Sequence, residues 1–502
     1  MKHRNATPTT LLAIGLFLAL IVVKTISLHA ASFVFPETRA GDLARGYIES
    51  LNSGDAEQVR EYTENHRSAS ALAKRSVEDR VRRSLQMHGQ MGELVPVVVT
   101  DSSEGTVTLT VHAKNLNMYL SCKFEVEQEE PYRLDGVMIQ PTSPPNLELA
   151  SDGDWRTVSD LLEQLCESSG IPAISTAVVE DGRIVESAAI GDRWIGGQAV
   201  EATDAFHIGS VTKSITATMI AIVIERGDLR WDSTIGDVIS DLPMRAEYRV
   251  VTLEQLLQHR GGLPAYATMS EEEEERWSRS TDAPTEQRRI LIEEALGAEP
   301  VGPAGEMIYS NAGYVVAGYM AEMATGESWE SLVYELVMLP LGMEHSGFGW
   351  PATDDRPNQP RGHFSEDDTL RPQGLDEYPL GAYLSPAGNI HMSITDLAIY
   401  ARLHLDGLAG QDGLLRAETV RRLHETAGDD AMGYACGWVV KRDENGNIHY
   451  HAGSAGTFYA SVELFPAENR AIVTAMNVGP DGAAVVEEIT KQINERRSQE
   501  TP

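Results

Sequence analysis

A serine and a lysine three residues apart open an apolar segment, and this pair of side chains can do nucleophilic chemistry. Ser210 and Lys213 begin a helical pattern that runs to Gly227, a natural helix stop. Positions i and i+3 share a helix face, so we expect the Lys213 amine to lie beside the Ser210 hydroxyl and act on its proton. An apolar helix body should lower the pKa of the lysine, and the helix start favours an oxyanion. Alone the pair is weak evidence, because a serine at a helix start also serves as a cap.

A second group of candidate residues lies roughly a hundred residues downstream. The turn Gly302-Pro303-Ala304-Gly305 is followed by Tyr309 and Asn311 in a Tyr-x-Asn arrangement. If Tyr309 lies close to Lys213, the cation should favour its phenolate, and the phenol can relay protons to a leaving group. Asn311 is expected to hold a substrate amide or the lysine. A buried tyrosine with a satisfied hydroxyl is the alternative explanation for Tyr309 alone.

A third group stands near the carboxyl end, in a strand-like segment that contains glycines. His451, Gly453 and Ser454 lie in Tyr450-His451-Ala452-Gly453-Ser454-Ala455-Gly456. Glycine inside a strand often marks close backbone approach to a ligand. We therefore expect the Ser454 N–H to join the Ser210 N–H in an oxyanion hole, with His451 facing the substrate. A strand histidine in contact with solvent is the alternative for His451.

These three groups, in this order and at these separations, resemble the Ser-x-x-Lys, Tyr-x-Asn and Lys/His-x-Gly motifs of class C-type β-lactamases, D-alanyl-D-alanine peptidases and related esterases. The segments Leu253–Pro264 and Leu384–Ser393 look like the same family, and the resemblance covers about 152–495. It implies that Ser210 is the acylated nucleophile, that Lys213 and Tyr309 share the roles of general base and acid, and that Asn311 positions substrate. By the same resemblance, His451 and Gly453 form the opposite wall of the site.

The sequence departs from the family pattern at His451. Penicillin-recognising members most often have lysine there, a permanent cation suited to a substrate carboxylate. Histidine looks more like the esterase and aminopeptidase members, so ester or amide hydrolysis is expected ahead of β-lactam or D-alanyl-D-alanine hydrolysis. The rival from another class is a non-catalytic sensor that kept the penicillin-binding fold. No Gly-x-Ser-x-Gly, His-Glu-x-x-His or phosphate-loop motif supports other hydrolase, zinc-protease or nucleotide chemistry.

The elements that must position these residues suggest an α+β fold. The resemblance implies an antiparallel β-sheet flanked by helices plus an all-helical subdomain, over 152–497. Asp181-Gly182 predicts a hairpin between strands at 173–179 and 183–189. Residues 38–142 read as a small α+β domain, with helices followed by alternating strands, and they weakly resemble nuclear-transport-factor-like or cystatin-like domains. The proline-rich stretch after Pro141 predicts a linker over 143–151.

Composition and the amino terminus limit the partners and the location. The 502 residues carry a net charge of −34, which disfavours nucleic acid. Three scattered cysteines form no CxxC or zinc-like pattern, so no metal or cofactor is expected. Residues 1–31 combine basic residues with an apolar run and predict a cleaved signal peptide, or alternatively an uncleaved membrane anchor. The expected location is periplasmic or extracellular, and the expected partner is a small-molecule or peptide acyl substrate.

Overall fold

The computed structural model describes residues 33–115, 118–142, 155–266, 271–278, 283–366, 369–375, 377, 380–428, 431–443 and 446–500. The predicted signal peptide or anchor at 1–31 and the predicted linker at 143–151 lie outside these ranges. Residues 35–502 group into one compact unit, and the domain boundaries within it remain predictions.

The amino-terminal part of that unit is built from helices followed by an antiparallel sheet. Its helices are α1 (Arg39–Asn52), α2 (Ala56–His66), α3 (Ala69–Lys74) and α4 (Val77–Met91), and its strands are β1 (Leu94–Ser102), β2 (Thr106–Ala113), β3 (Met118–Val126) and β4 (Leu134–Pro141). The strands pair in the order β1-β2-β3-β4. The apolar positions that predict a helix face, Leu43, Tyr47, Ile48 and Leu51, are buried on α1, and Val107, Leu109 and Val111 are buried on β2. The period-two pattern therefore located the inward face of this sheet correctly.

The second part contains a seven-stranded antiparallel sheet and two small sheets. Its strands are β5 (Ala173–Glu180), β6 (Arg183–Gly191), β7 (Ala205–His207), β8 (Ser346–Phe348), β9 (His363–Glu366), β10 (Thr369–Pro372), β11 (Ile390–Ser393), β12 (Met432–Tyr434), β13 (Val439–Asp443), β14 (Gly446–Ser454), β15 (Tyr459–Phe465) and β16 (Arg470–Met476). The large sheet has the order β12-β13-β14-β15-β16-β5-β6. At the predicted hairpin, Asp181 and Gly182 have φ values of 47° and 71°, and positive φ at both positions is what a type I′ turn requires.

Helices cover both faces of the large sheet and form a helical region beside it. The helices of this second part are α5 (Val158–Ser169), α6 (Thr212–Arg226), α7 (Ile235–Val238), α8 (Ala246–Arg249), α9 (Leu253–Leu257), α10 (Glu271–Ser278), α11 (Pro284–Gly297), α12 (Asn311–Thr325), α13 (Trp329–Val333), α14 (Leu339–Leu341), α15 (Ser385–Gly388), α16 (Ile394–Leu408), α17 (Ala417–Leu423) and α18 (Ala483–Glu500). Helices α5 and α18 share one apolar core with Ile174 and Ile472 of the sheet. Helix α16 packs on the other face, and Thr218 of α6 hydrogen-bonds Tyr400 of α16. The predicted fold class, an antiparallel sheet flanked by helices with a helical region between strands, is confirmed.

Within the described ranges, no helix has the length and apolar character needed to cross a membrane. In the same ranges, no group of three or more His, Cys, Asp or Glu side chains is arranged to hold a metal ion.

Candidate active site

The serine and lysine that the helical spacing pairs do lie side by side. Ser210 is in a short 3-10 turn, Gly209–Val211, that leads directly into α6, and Lys213 is in the first turn of α6. The Lys213 Nζ is 3.0 Å from the Ser210 Oγ. At this distance a proton can pass directly between the two atoms.

Burial gives Lys213 the electrostatics of a base. Its side chain is fully buried, because the first three turns of α6 are buried on all sides within the core. Desolvation lowers the pKa of Lys213 well below its usual value of 10.5. No carboxylate is paired with the amine among the described residues; its other close contact is the Ala387 carbonyl at 2.6 Å. A lysine so placed is neutral over part of the range in which a free lysine is charged, and a neutral amine can accept the serine proton.

The family-like segment 384–393 fixes the back of this site. The Thr216 hydroxyl donates to the Pro386 carbonyl at 2.7 Å, and the Ile390 N–H donates to the Thr212 hydroxyl at 3.2 Å. These bonds tie α15 and β11 to the first turns of α6. They hold the Ala387 carbonyl against Lys213, which fixes the direction in which the amine points.

Tyr309 reaches the nucleophile from the opposite side. Lys213 Nζ lies 5.0 Å from the centre of the Tyr309 ring, and the Ser210 side chain is close enough to influence the pKa of Tyr309. Burial raises the pKa of Tyr309 to about 12, although the neighbouring Ser210 side chain acts in the other direction. The expected phenolate is therefore not supported: with a neutral amine beside it, Tyr309 is a neutral phenol and a proton donor.

Two glycines allow strand β14 to approach the turn that carries Ser210. A Cβ on Gly453 would lie 2.2 Å from the Ile208 carbonyl oxygen and 2.4 Å from the Ser210 nitrogen. A Cβ on Gly209 would lie 2.5 Å from the Ser454 nitrogen. Neither position has room for a side chain. Gly453 thus contacts the nucleophile's own turn rather than a ligand, and it brings the Ser454 and Ser210 backbones together as an oxyanion hole requires.

A cavity of about 130 Å³ opens beside these groups. Ser210, Ser454 and Asn311 all line it. The Asn311 side-chain amide donates to the Tyr266 carbonyl at 2.8 Å, which turns the amide group toward the cavity wall and does not join it to Lys213. Three of the predicted site residues therefore share one cavity, with Tyr309 and Lys213 behind Ser210.

His451 is not where the sequence interpretation placed it. Its side chain is only 4% exposed, and it is absent from the lining of the cavity beside Ser210. Its Nε2 accepts from the Tyr434 hydroxyl at 2.9 Å, and its Nδ1 donates to the Ala452 carbonyl at 2.7 Å. Burial lowers the pKa of His451 to about 3. The prediction that His451 faces the substrate is therefore not supported, since the side chain is neutral and engaged inside the protein.

A group of buried aromatic residues supports Tyr309, and the sequence interpretation assigned it no role. The His259 ring centre is 4.2 Å from that of Tyr309 and 4.4 Å from that of Tyr434. His259 has a φ of 57° and accepts the Ser310 N–H at 3.1 Å through Nδ1. The Tyr314 hydroxyl donates to the Leu257 carbonyl at 2.7 Å. The presence of His259 in the family-like segment 253–264 was the only signal that could have found it.

The fold and the site together define a class of protein. An antiparallel sheet beside a helical region, with a serine and a buried lysine at the start of a core helix, is the arrangement of the serine hydrolases that carry a Ser-x-x-Lys motif. Residues 158–493 match the family model described as "Beta-lactamase". The chain belongs to the beta-lactamase family.

Individual relatives are distant. The chain is 26% identical to "Penicillin-binding protein 4" of Amycolatopsis lactamdurans over 313 residues, which are 59% of this chain and 78% of that protein. It is 22% identical to "Protein flp" of Staphylococcus aureus (strain N315) over 341 residues, 67% of this chain and 66% of that protein, just under two thirds. A solved structure titled "A class C beta-lactamase" superposes with a TM-score of 0.55 at 20% identity, covering 70% of this chain and 98% of that one. At that identity the structural likeness shows the fold alone.

Proposed function

We propose that the chain is an exported serine hydrolase that cleaves ester or amide bonds through a covalent acyl-enzyme on Ser210. The observation that carries the proposal is the 3.0 Å separation between Ser210 Oγ and the amine of a fully buried Lys213. A fully buried lysine without an acidic partner is costly to the fold unless the neutral form is used. Family membership supports hydrolysis as the general reaction.

Acylation follows from the positions of three groups. Lys213 Nζ accepts the hydroxyl proton as Ser210 Oγ forms a bond to the acyl carbon, and the carbonyl electron pair moves to oxygen. The N–H groups of Ser210 and Ser454 stabilise that oxyanion. When the tetrahedral intermediate collapses, the leaving alkoxide or amine takes a proton from the Tyr309 hydroxyl, and the proton held on Lys213 replaces it.

Deacylation uses the same groups in reverse. A water molecule loses a proton to Lys213 while its oxygen bonds to the acyl carbon, and the oxyanion again lies between the Ser210 and Ser454 N–H groups. Ser210 Oγ then leaves, takes back the proton, and releases a carboxylic acid. No metal or cofactor takes part in the proposed steps.

The charge of the cavity supports an ester or amide substrate over a β-lactam or a D-alanyl-D-alanine peptide, both of which carry a carboxylate. Among the described residues that line the cavity beside Ser210, none is an arginine or a lysine, and Glu274 is acidic. His451 adds no cation, since its pKa is lowered to about 3. A substrate carboxylate would thus lack the charged partner it needs to offset its desolvation.

The printed name of one relative, "Penicillin-binding protein 4", supports the second candidate, a β-lactamase or D-alanyl-D-alanine peptidase. A non-catalytic sensor is the third. A panel of p-nitrophenyl butyrate, nitrocefin and a D-Ala-D-Ala peptide, each assayed with wild type and Ser210→Ala, separates them. We expect the ester to be turned over fastest and only by wild type. Faster turnover of nitrocefin or the peptide would favour a β-lactamase or D-alanyl-D-alanine peptidase. No turnover of any substrate, together with no labelling of Ser210 by a fluorophosphonate probe, would favour a non-catalytic sensor.

Export is proposed from the amino-terminal pattern alone. Lys2 and Arg4 precede an apolar run from Leu11 to Val23, and small residues follow at Ala30 and Ala31. This is the order of regions in a secretory signal peptide. We propose a periplasmic or extracellular enzyme, and amino-terminal sequencing of the mature protein tests whether the segment is cleaved or kept as a membrane tether.

A further inference from the structure

A cavity of about 490 Å³ lies in the amino-terminal part, apart from the cavity beside Ser210. Helix α4 and strand β4 form two of its walls, and the segment Met307–Tyr309 closes one side. Volumes of this size are typical of small-molecule sites. The proposed reaction uses only Tyr309 among the residues that line it.

Four arginines converge on this cavity, namely Arg67, Arg75, Arg80 and Arg83. One of them is neutralised: Arg83 Nε donates to Glu306 at 2.9 Å. The other three have no ion pair with any carboxylate in the part of the chain that the structure describes. This concentration of positive charge stands in a protein whose net charge is −34.

Arg67 is the most informative of the four, because it is only 5% exposed. Its guanidinium packs over the Tyr47 ring at 5.3 Å, and no described residue accepts a hydrogen bond from it. Among the described residues that line the cavity, the one carboxylate is that of Asp135, which accepts from the Ser68 hydroxyl at 2.5 Å and from the Ser70 hydroxyl. Burial lowers the pKa of Arg67. The Arg67 side chain lines the cavity, and a largely buried charge without a counterion is costly for a fold to keep.

The neighbouring arginines increase the positive charge around Arg67 and do not neutralise it. Arg80 donates to the carbonyls of Arg75 and Ala71, which leaves its charge unpaired. Burial and then the charges of Arg67 and Arg75 lower the pKa of Arg80 to about 10. Mutual repulsion of this kind is what an anion placed between the guanidinium groups would remove.

Apolar side chains form another part of the wall. They include Met87 and Met91 of α4, Val137 and Ile139 of β4, and Met307, while Ser84 and Gln86 add polar groups. Methionine-rich walls accommodate flexible apolar groups of varied shape. We propose that this cavity binds a small organic anion, with its carboxylate or phosphate group against Arg67, Arg75 and Arg80 and its apolar part against the methionine side.

Calorimetric titration of the full chain at low ionic strength tests the proposal with three matched probes: hexanoate, hexyl phosphate and 1-hexanol. We expect one equivalent of hexanoate or hexyl phosphate to bind, and 1-hexanol to bind far more weakly because it lacks the charge. The stronger of the two anions identifies the head group. Binding of 1-hexanol as tight as that of both anions would overturn the proposal.

Arginine variants place the site. Arg80→Gln and Arg75→Gln should each weaken anion binding by about tenfold or more, because each removes a charge-assisted partner. The matched control Arg45→Gln changes an exposed arginine that pairs with Asp42 on α1, and it should bind as wild type does. Unchanged affinity for the anions in both cavity variants would overturn the proposal. Arg75 is exposed at the rim of the cavity, so Arg75→Gln should fold normally. If Arg80→Gln fails to fold, the anion affinity of Arg75→Gln alone tests the proposal.

Discussion

Replacing Lys213 by methionine tests the charge state on which the proposed mechanism depends. Methionine has a similar length and is apolar, so Lys213→Met keeps the packing of a fully buried side chain and removes only the titrating group. The usual lysine pKa is 10.5, and burial lowers the folded value well below it. Between the two pKa values, unfolding takes up one proton in wild type and none in the variant at this position.

The sign and size of the effect follow from that proton. Above pH 10.5 the lysine is neutral in both the folded and the unfolded protein, so its lowered pKa costs no stability. As the pH falls from 10.5 toward the pKa of Lys213 in the folded protein, the unfolded chain gains a proton that the folded protein does not, and the unfolding free energy decreases. The unfolding free energy of wild type relative to Lys213→Met should therefore rise with pH by about 1.4 kcal/mol per pH unit within this window. Groups common to both proteins cancel in the difference.

Urea unfolding of both proteins at intervals between about pH 8 and about pH 10 measures this difference. Lys74→Met, which removes an exposed lysine, is the matched control and should not reproduce the slope. Acylation of Lys213→Met should also fall by roughly 10²- to 10⁴-fold, the usual contribution of a general base. If the difference in unfolding free energy between wild type and Lys213→Met does not change with pH, Lys213 stays protonated in the folded protein. That result would refute the assignment of Lys213 as a neutral base.

Two further substitutions test the surroundings of the site. Tyr434→Phe leaves the buried His451 Nε2 without its donor and should lower the unfolding free energy by about 1–3 kcal/mol in denaturant titration; a value within error of wild type would show that water replaces the hydroxyl. Arg288→Met leaves Glu322, only 2% exposed, without the buried arginine that pairs with it, and should cost about 3–5 kcal/mol. The double variant Arg288→Met/Glu322→Leu should regain most of that loss, and failure to do so would mean that packing rather than charge dominates.

The sequence was most informative where a short-range rule determines geometry. Helical spacing alone predicted the contact between Ser210 and Lys213, because neighbours at i and i+3 meet whatever surrounds the helix. The Asp181-Gly182 turn placed the β5–β6 hairpin for the same reason, since a two-residue turn needs positive φ at both positions. The glycine at 453 correctly indicated a close backbone approach, although the approaching backbone is that of Ser210's own turn.

Contacts between distant segments could not be predicted in this way. His451 was expected to face the substrate, yet its orientation depends on a hydrogen bond from Tyr434, a residue of another strand. The phenolate expected for Tyr309 is not supported, because the surroundings of Tyr309 and Lys213 depend on packing that periodicity does not specify. The arginine cavity draws residues from helices, a strand and the Tyr309 segment, so only the folded chain brings them together.

The most direct test of the central claim is to locate the covalent label left by a fluorophosphonate probe. Peptide mapping of the labelled protein by mass spectrometry should find one probe per chain, attached to Ser210. The matched control Ser214→Ala removes a buried hydroxyl one helical turn away, which donates to the Val211 carbonyl, and this variant should still be labelled. Ser210→Ala should carry no label. Equal labelling of Ser210→Ala and wild type, or attachment to another residue, would contradict the assignment of Ser210 as the nucleophile.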